Sequence, residues 1–273
     1  MSSRLVAAVI GVVATIGSVP FARAQEMWLG PREGGTAGLE VLWVNFKSSD
    51  FHQPLTSAAL FLTGRAPLGG ATLVVEVPAA NGRFTSAWSS QVAAGTSIGD
   101  PYIGIETGHR AAPVFAEVGV RVPLMSESDA PAMLVGTSGD LDREDAFLSH
   151  IVTASAFLNY RAGAATGLQL RVRAGPLAWF ASESRVLDHP ELFGVYALQA
   201  GYVSSAFEVF GGLSGRAIIT EQADNQFTDQ FVAAAHLNLG PVEPGVSVRL
   251  PLDNGRPDVI GSAIGFSLRV GLP

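Results

Sequence analysis

The feature that most constrains this chain is a division between odd and even positions. Glu117, Gly119 and Arg121 share one parity, while Val118, Val120, Val122 and Leu124 hold the other. Gln169, Arg171 and Arg173 oppose Leu168, Leu170, Val172 and Ala174; Glu208, Ser214 and Arg216 oppose Phe207, Val209 and Leu213. Glu243, Ser247 and Arg249 oppose Val246, Val248, Leu250 and Leu252, and His236 with Asn238 oppose Phe231, Leu237 and Leu239. A period of two that keeps charge off one face is the mark of β-strands lying between two unlike media, and helical periodicity is nearly absent.

Strands are expected at 38 to 47, 57 to 67, 71 to 80, 98 to 109, 113 to 124, 149 to 161, 167 to 181, 191 to 202, 204 to 219, 227 to 239, 242 to 252 and 258 to 271. That is about twelve, an even number. After every second strand the chain turns within about five residues, at Leu68-Gly69-Gly70, Arg110-Ala111-Ala112, Ala162 to Thr166, Val203 and Gly240-Pro241. The other links are longer and polar: 48 to 56, 81 to 97, 125 to 148, 182 to 190, 220 to 226 and 253 to 257. Tight turns at one end and long loops at the other are the plan of a transmembrane barrel.

A soluble barrel with an apolar interior could use the same alternation, so the polar parity decides. It mixes Glu and Arg with Gly, Ala and Ser, and Lys47 is the only lysine of the chain. A surface facing water carries many lysines and glutamates. A confined lumen instead lets facing acids and arginines neutralise one another. Mean hydropathy of +0.31 without a long apolar run agrees. An arginine facing lipid at the midplane costs about 2–4 kcal/mol, which explains why the apolar parity is cleared of charge. The fold expected is all-β: a transmembrane antiparallel up-and-down β-barrel of about twelve strands, residues 38–273.

The N-terminus supplies the route. Arg4, the apolar run from Leu5 to Val19, and Ala22-Arg23-Ala24 before Gln25 form a cleavable secretory signal, residues 1–24, too short to span a bilayer. Residues 25–37 follow as a short periplasmic segment. Loss of Arg4 and Arg23 takes the net charge from −7 to −9, which argues against nucleic acid as a partner. There is no cysteine, hence neither a disulfide framework nor a lipid-anchored N-terminus. The last strand, Gly265-Phe266-Ser267-Leu268-Arg269-Val270, is similar to the signal read by the barrel-insertion machinery, although the chain ends at Leu272-Pro273 instead of an aromatic residue.

The stretch Ile98-Gly99-Asp100-Pro101-Tyr102-Ile103-Gly104-Ile105-Glu106, with Glu117 to Leu124, resembles a hairpin of uncharacterised Gram-negative outer-membrane β-barrel proteins. Some of these are grouped loosely with putative transporters of the phenol meta-cleavage pathway. The resemblance covers the mature chain in architecture and these two strands in sequence. It implies an outer-membrane location, contact with outer-membrane lipid and lipopolysaccharide, passage or binding of a small solute, and no catalytic residues.

Lumen-lining candidates for a solute path are Glu76, Glu106, Glu117, Arg121, Arg171, Arg173, Glu208, Arg216, His236, Arg249 and Arg269. Rings of charge in a narrow pore sort polar solutes. Such charges also fill and stiffen an interior, and twelve strands lie between filled and open barrels, so structural filling is expected for most of these residues with a narrow passage still allowed. The longest link carries Glu127, Asp129, Asp140, Asp142, Glu144 and Asp145 with Arg143 as its only base. Its carboxylates could hold a divalent ion, but they lack the register of a calcium loop, so a solvated acidic loop is expected. No metal or cofactor is assigned. An integral hydrolase would need Ser and His on the lipid-facing parity; His109 and His150 have it, but Ser155 does not, so no enzyme is expected. Three roles remain: a narrow channel or transporter, a non-conducting surface or scaffold barrel with a plugged lumen, and a soluble periplasmic ligand-binding barrel.

Overall fold

The structure is a computed structural model that describes residues 35–47, 51–52, 57–86, 92–107, 112–183, 187, 189–220, 227–252 and 260–272. The signal, most of the N-terminal segment and His109 lie outside these residues.

Among the described residues, fourteen strands form one antiparallel sheet: β1 (Gly35–Phe46), β2 (Phe51–His52), β3 (Ala58–Leu68), β4 (Ala71–Ser86), β5 (Val92–Ile98), β6 (Tyr102–Thr107), β7 (Val114–Arg121), β8 (Ile151–Gly163), β9 (Gly167–Ala181), β10 (Glu191–Val203), β11 (Phe207–Ile218), β12 (Phe227–Leu237), β13 (Val242–Pro251) and β14 (Ile260–Leu272). Each wall strand pairs with its neighbours in sequence, and β1 pairs with β14 from Gly35 opposite Leu272 to Phe46 opposite Ile260, which closes the ring. β5 and β6 both pair with β4 and act as one wall strand interrupted at 99 to 101, while β2 is a two-residue addition to the tip of β4. Among the described residues the wall therefore has twelve strands, as the alternation implied, and closure between β1 and β14 leaves edges only where β2 and β5 extend beyond the ring. The link expected at 81 to 97 is instead partly β-structure: β4 runs on to Ser86 and pairs with β5, so that hairpin outgrows the barrel on the long-loop side.

The two faces follow the parities. Leu168 is 78 % exposed on the outside, and Val118, Val120, Val172, Val209, Leu213, Val246, Val248 and Phe266 are also exposed. Glu117, Arg171 and Arg249 are buried inside at 1 %, 9 % and 2 %. This is the inverse of a soluble barrel, whose interior would be apolar. Among the aromatic residues, Trp43 packs edge-on against the outward Phe266, whereas Phe46 meets the buried Phe84 and Trp179 meets the buried Phe193.

One segment leaves the wall plan. Residues 125–148 hold a 3-10 turn (Glu127–Asp129), a helix α1 (Ala130–Gly139) and a second 3-10 turn (Leu141–Phe147), all folded into the barrel. Ser126 caps the first turn by accepting from Ser128 N, Pro131 suits the first turn of α1, and Asp140 accepts from Asp142 N at the start of the last turn. On one side Met125, Ala132, Ala146 and Phe147 pack with Leu42, Ala59, Phe61 and Ala80 of the wall. Two wall glycines let the plug come close: a Cβ on Gly82 would lie 1.9 Å from Pro131 O, and one on Gly99 would lie 2.2 Å from Ala146 O. The solvated acidic loop expected here is therefore a plug, with Asp140, Arg143, Glu144 and Asp145 all buried. Its acids are matched by arginines projecting from distant strands, which a reading by local composition could not supply.

Candidate functional site

The lumen has two storeys. In the upper one, the plug docks through ion pairs. Arg143 bonds Glu40 of β1, Glu76 of β4 at 3.3 Å and Asp140 at 2.8 Å, and its guanidinium lies 3.6 Å from the Phe61 ring centroid. Arg249 of β13 bonds Glu40 at 2.8 Å and Asp140 at 3.3 Å, and Arg121 of β7 bonds Glu76 at 2.7 Å and Asp145 at 3.2 Å. Gln230 donates to Asp140, and Arg216 reaches Leu141 O at 2.7 Å and Glu144 at 3.3 Å. Within the plug, burial would raise the Asp140 carboxyl, but the Arg249 and Arg143 guanidinia overcome it and hold that group below the usual carboxylate range. Burial and the charge of Asp140 push Asp142 up. Asp100, at the interruption between β5 and β6, ties down both roots of the plug. Its Oδ1 accepts from Leu124 N at 2.6 Å and Met125 N at 2.8 Å, and its N–H donates to Ala146 O at 2.7 Å.

In the lower storey, toward the short turns, acids and arginines pair on one wall. Arg65 bonds Glu106, and Arg269 bonds both Glu243 and Glu208, the latter at 2.6 Å. The wall of β7, β8 and β9 is richer in base. Arg173 bonds Glu117 at 3.2 Å, Glu117 accepts from the Tyr102 hydroxyl at 2.9 Å, and Arg171 donates to Asn159 Oδ1 at 2.8 Å.

All eleven lumen candidates named from sequence face inward and are buried. The upper storey gathers Glu76, Arg121, Arg216 and Arg249; the lower gathers Glu106, Glu117, Arg171, Arg173, Glu208, His236 and Arg269. The lumen candidates expected from sequence do not include Glu40, Arg65, Asp100, Arg143 and Glu243, which the structure also buries or pairs inside. Glu40 and Glu243 sit on the polar parity and were legible on that ground; Asp100 and Arg143 lie off any regular strand.

The hydrolase reading finds a partial counterpart inside the barrel. His236 Nε2 lies 3.1 Å from Ser267 Oγ, and Nδ1 lies 3.5 Å from Glu208 Oε1. Glu208 is already held by Arg269, and β14 is paired on both sides, so the backbone N–H groups beside Ser267 serve the ladder and none is aimed as an oxyanion donor. His150 meets Glu127 and Glu183 at the long-loop end, and Ser155 faces the lumen. Among the described residues, no cluster of three or more His, Cys, Asp or Glu is arranged to hold a metal ion.

No family model matches the sequence, and no curated protein matches it. Solved structures do. The COG4313 outer membrane channel from Pseudomonas putida F1 superimposes with a TM-score of 0.59 at 14 % identity, covering 90 % of this chain and 98 % of the channel. The NanC porin superimposes with a TM-score of 0.53 at 9 % identity, covering 86 % of this chain and all of the porin. At such identities the likeness is one of fold. The chain shares a β-barrel fold with these two proteins, its own wall having twelve strands among the described residues.

Proposed function

We propose that the protein is an outer-membrane barrel that forms a narrow gated channel for a small polar solute, with segment 125–148 as the gate. The observation that carries this reading is the charged lumen closed by one inserted segment. Buried ion pairs are a poor way to make a barrel solid, because packed apolar residues of similar volume are often equally or more stabilising by about 1–4 kcal/mol. A lumen that conducts must instead stay wettable, and this one is lined by charge from the short-turn end to the plug. The full-length likeness to a channel and a porin supports the same reading. The apolar outer belt then contacts outer-membrane lipid and the long loops face lipopolysaccharide, after export by the N-terminal signal and folding by the barrel-insertion machinery.

The filled interior of the plugged form favours a second reading, a non-conducting scaffold barrel. Recordings of the purified protein in planar bilayers separate the two. Discrete conductance steps support the gated channel; silence from folded protein at every applied voltage supports the scaffold.

A further inference from the structure

Both roots of the plug are tied to one short break in the wall. Asp100, between β5 and β6, accepts on Oδ1 from Leu124 N at 2.6 Å and Met125 N at 2.8 Å, where the plug begins. Its own N–H donates to Ala146 O at 2.7 Å, near the end of the plug. A Cβ on Gly99 would lie 2.2 Å from that same Ala146 O, so break and plug meet backbone to backbone. Withdrawal of the segment breaks all three bonds and gives Asp100 to water.

The second carboxylate oxygen, Asp100 Oδ2, is buried and meets no donor among the described residues. Asp145 Oδ1, in the last turn of the plug, is in the same condition. The two residues are 0 % and 1 % exposed and meet on Arg121. Arg121 Nε bonds Asp145 Oδ2 at 3.2 Å, Nη1 donates to the Asp100 backbone carbonyl at 3.0 Å, and Nη2 bonds Glu76 of β4 at 2.7 Å. The guanidinium therefore serves Asp100 at its backbone, and Oδ2 goes without. Tyr102 of β6, whose ring centroid lies 5.4 Å from the Arg121 guanidinium, and Arg143 of the plug, which bonds Glu76 at 3.3 Å, complete the charged and titratable surroundings; β5 brings no charge. A buried carboxylate oxygen without a donor is costly, and a second carboxylate nearby adds repulsion. Burial outweighs the donors from Met125 and Leu124 and pushes the Asp100 carboxyl up to about 6, with Arg121 opposing the rise and Asp145 adding to it.

We propose that Asp100 is a proton-operated latch that fastens the plug. A hydroxyl on Oδ2 is the donor that Asp145 Oδ1 lacks, so one proton taken from solvent satisfies both oxygens and removes the repulsion between the two carboxylates. Oδ1 keeps its bonds to Leu124 and Met125 in either form. The latch rests on the gated-channel reading for its effect on conduction, whereas the proton site requires only the seated plug. In the open barrel Asp100 is solvated and returns to the ordinary aspartate value of 3.8. The plugged state then holds the proton more tightly, and acid favours it. The gain is absent well above about pH 6, grows as pH falls through that value and is complete below about pH 4. Between about pH 8 and about pH 5 this one group raises the ratio of plugged to open barrel about tenfold.

The test records the full-length protein in planar bilayers at about pH 8 and about pH 5, as the parent and as Asp100→Asn. Asparagine keeps the acceptor and places an NH2 donor at the position of Oδ2, so it imitates the latched form at every pH. The ratio of open to closed time is expected to fall about tenfold in the parent on acidification, and in Asp100→Asn to be low at both pH values without that response. Infrared difference spectra of the detergent-solubilised protein form a second arm that needs neither conduction nor a folded Asp100 variant. They are taken on Asp142→Asn, because burial and Asp140 hold the Asp142 carboxyl up as well. The carbonyl band of a protonated carboxyl should rise with a midpoint at about 6. That band in a barrel silent at both pH values would uphold the proton site and remove the channel. Conductance steps whose pH response survives Asp100→Asn, or a carboxyl band that stays absent until about pH 4, would overturn the latch and leave the channel standing.

Discussion

Replacing Arg143 with methionine should unseat the plug. Arg143 is 2 % exposed and joins three carboxylates, Glu40, Glu76 and Asp140, while covering the Phe61 ring. Methionine keeps much of the stem's apolar contact and removes the charge. Deleting one partner of a buried ion pair costs about 3–5 kcal/mol, because the remaining charge is left without compensation. Here each carboxylate keeps another partner: Glu40 keeps Arg249, Glu76 keeps Arg121, and Asp140 keeps Arg249 and Gln230. The low end of the range therefore applies, about 3 kcal/mol, which is roughly a two-hundredfold shift in the ratio of plugged to open barrel. In the open barrel water solvates these groups, so the loss falls on the plugged state alone. Single-channel recordings at fixed voltage should show open probability rising steeply in Arg143→Met. Asp142→Asn, which alters one hydrogen bond from Ser214 and relieves repulsion by Asp140, should behave close to the parent. If Arg143→Met migrates as a folded, heat-modifiable barrel on gels and its traces match the parent, the ion pairs do not hold the gate.

Four further outcomes follow from the same geometry. Arg143 is the only lysine or arginine between Val122 and Tyr160, so trypsin should leave the plugged protein uncut there and cleave it once voltage or mild urea withdraws the plug; cutting of the native protein at its resting rate would mean the plug is not seated. Val118→Arg on the exposed outer face should lower stability in liposomes by about 2–4 kcal/mol, seen as an earlier urea midpoint, and an unchanged midpoint would place Val118 outside the lipid belt. Gly119→Ala should cost about 1–3 kcal/mol by overpacking, since its Cβ would lie 2.2 Å from the Tyr102 hydroxyl and displace it from Glu117; equal denaturation midpoints would contradict the packing. Acidification from about pH 8 to about pH 5 should not release the plug. Asp140, held low, keeps its contribution above the ordinary carboxylate range and loses it only as pH falls farther; Asp142, held high, contributes more as pH falls. Open probability that climbs over this interval would show that other groups hold the gate.

The wall was legible in the sequence because a strand between two unlike media writes its environment into every second residue. Glu117, Arg121, Arg171 and Arg249 could be placed inside from their neighbours alone, and the uneven links gave the two ends of the barrel. The plug was not legible by that rule. Helix α1 offers no lipid-facing parity, and the acids at 140 to 145 look solvated until Arg121, Arg216 and Arg249 are seen to converge on them. One local signal did exist, the small apolar run Ala130 to Gly139 inside an otherwise polar link, which is unsuited to a loop in water. The pairing of Arg161 with Arg171 required the register between β8 and β9, which alternation does not determine.

In the gated-channel reading, the barrel opens only when segment 125–148 moves. A Cβ on Gly139 would stand 3.4 Å from Ala59 Cβ, near the spacing of a disulfide, and the chain has no cysteine to interfere. The double variant Ala59→Cys, Gly139→Cys should therefore join α1 to β3 on oxidation. Recorded in a planar bilayer, the oxidised protein should fall silent and regain its conductance steps on addition of dithiothreitol. Equal conductance in the oxidised and reduced protein, with the disulfide verified by mass, would contradict the account.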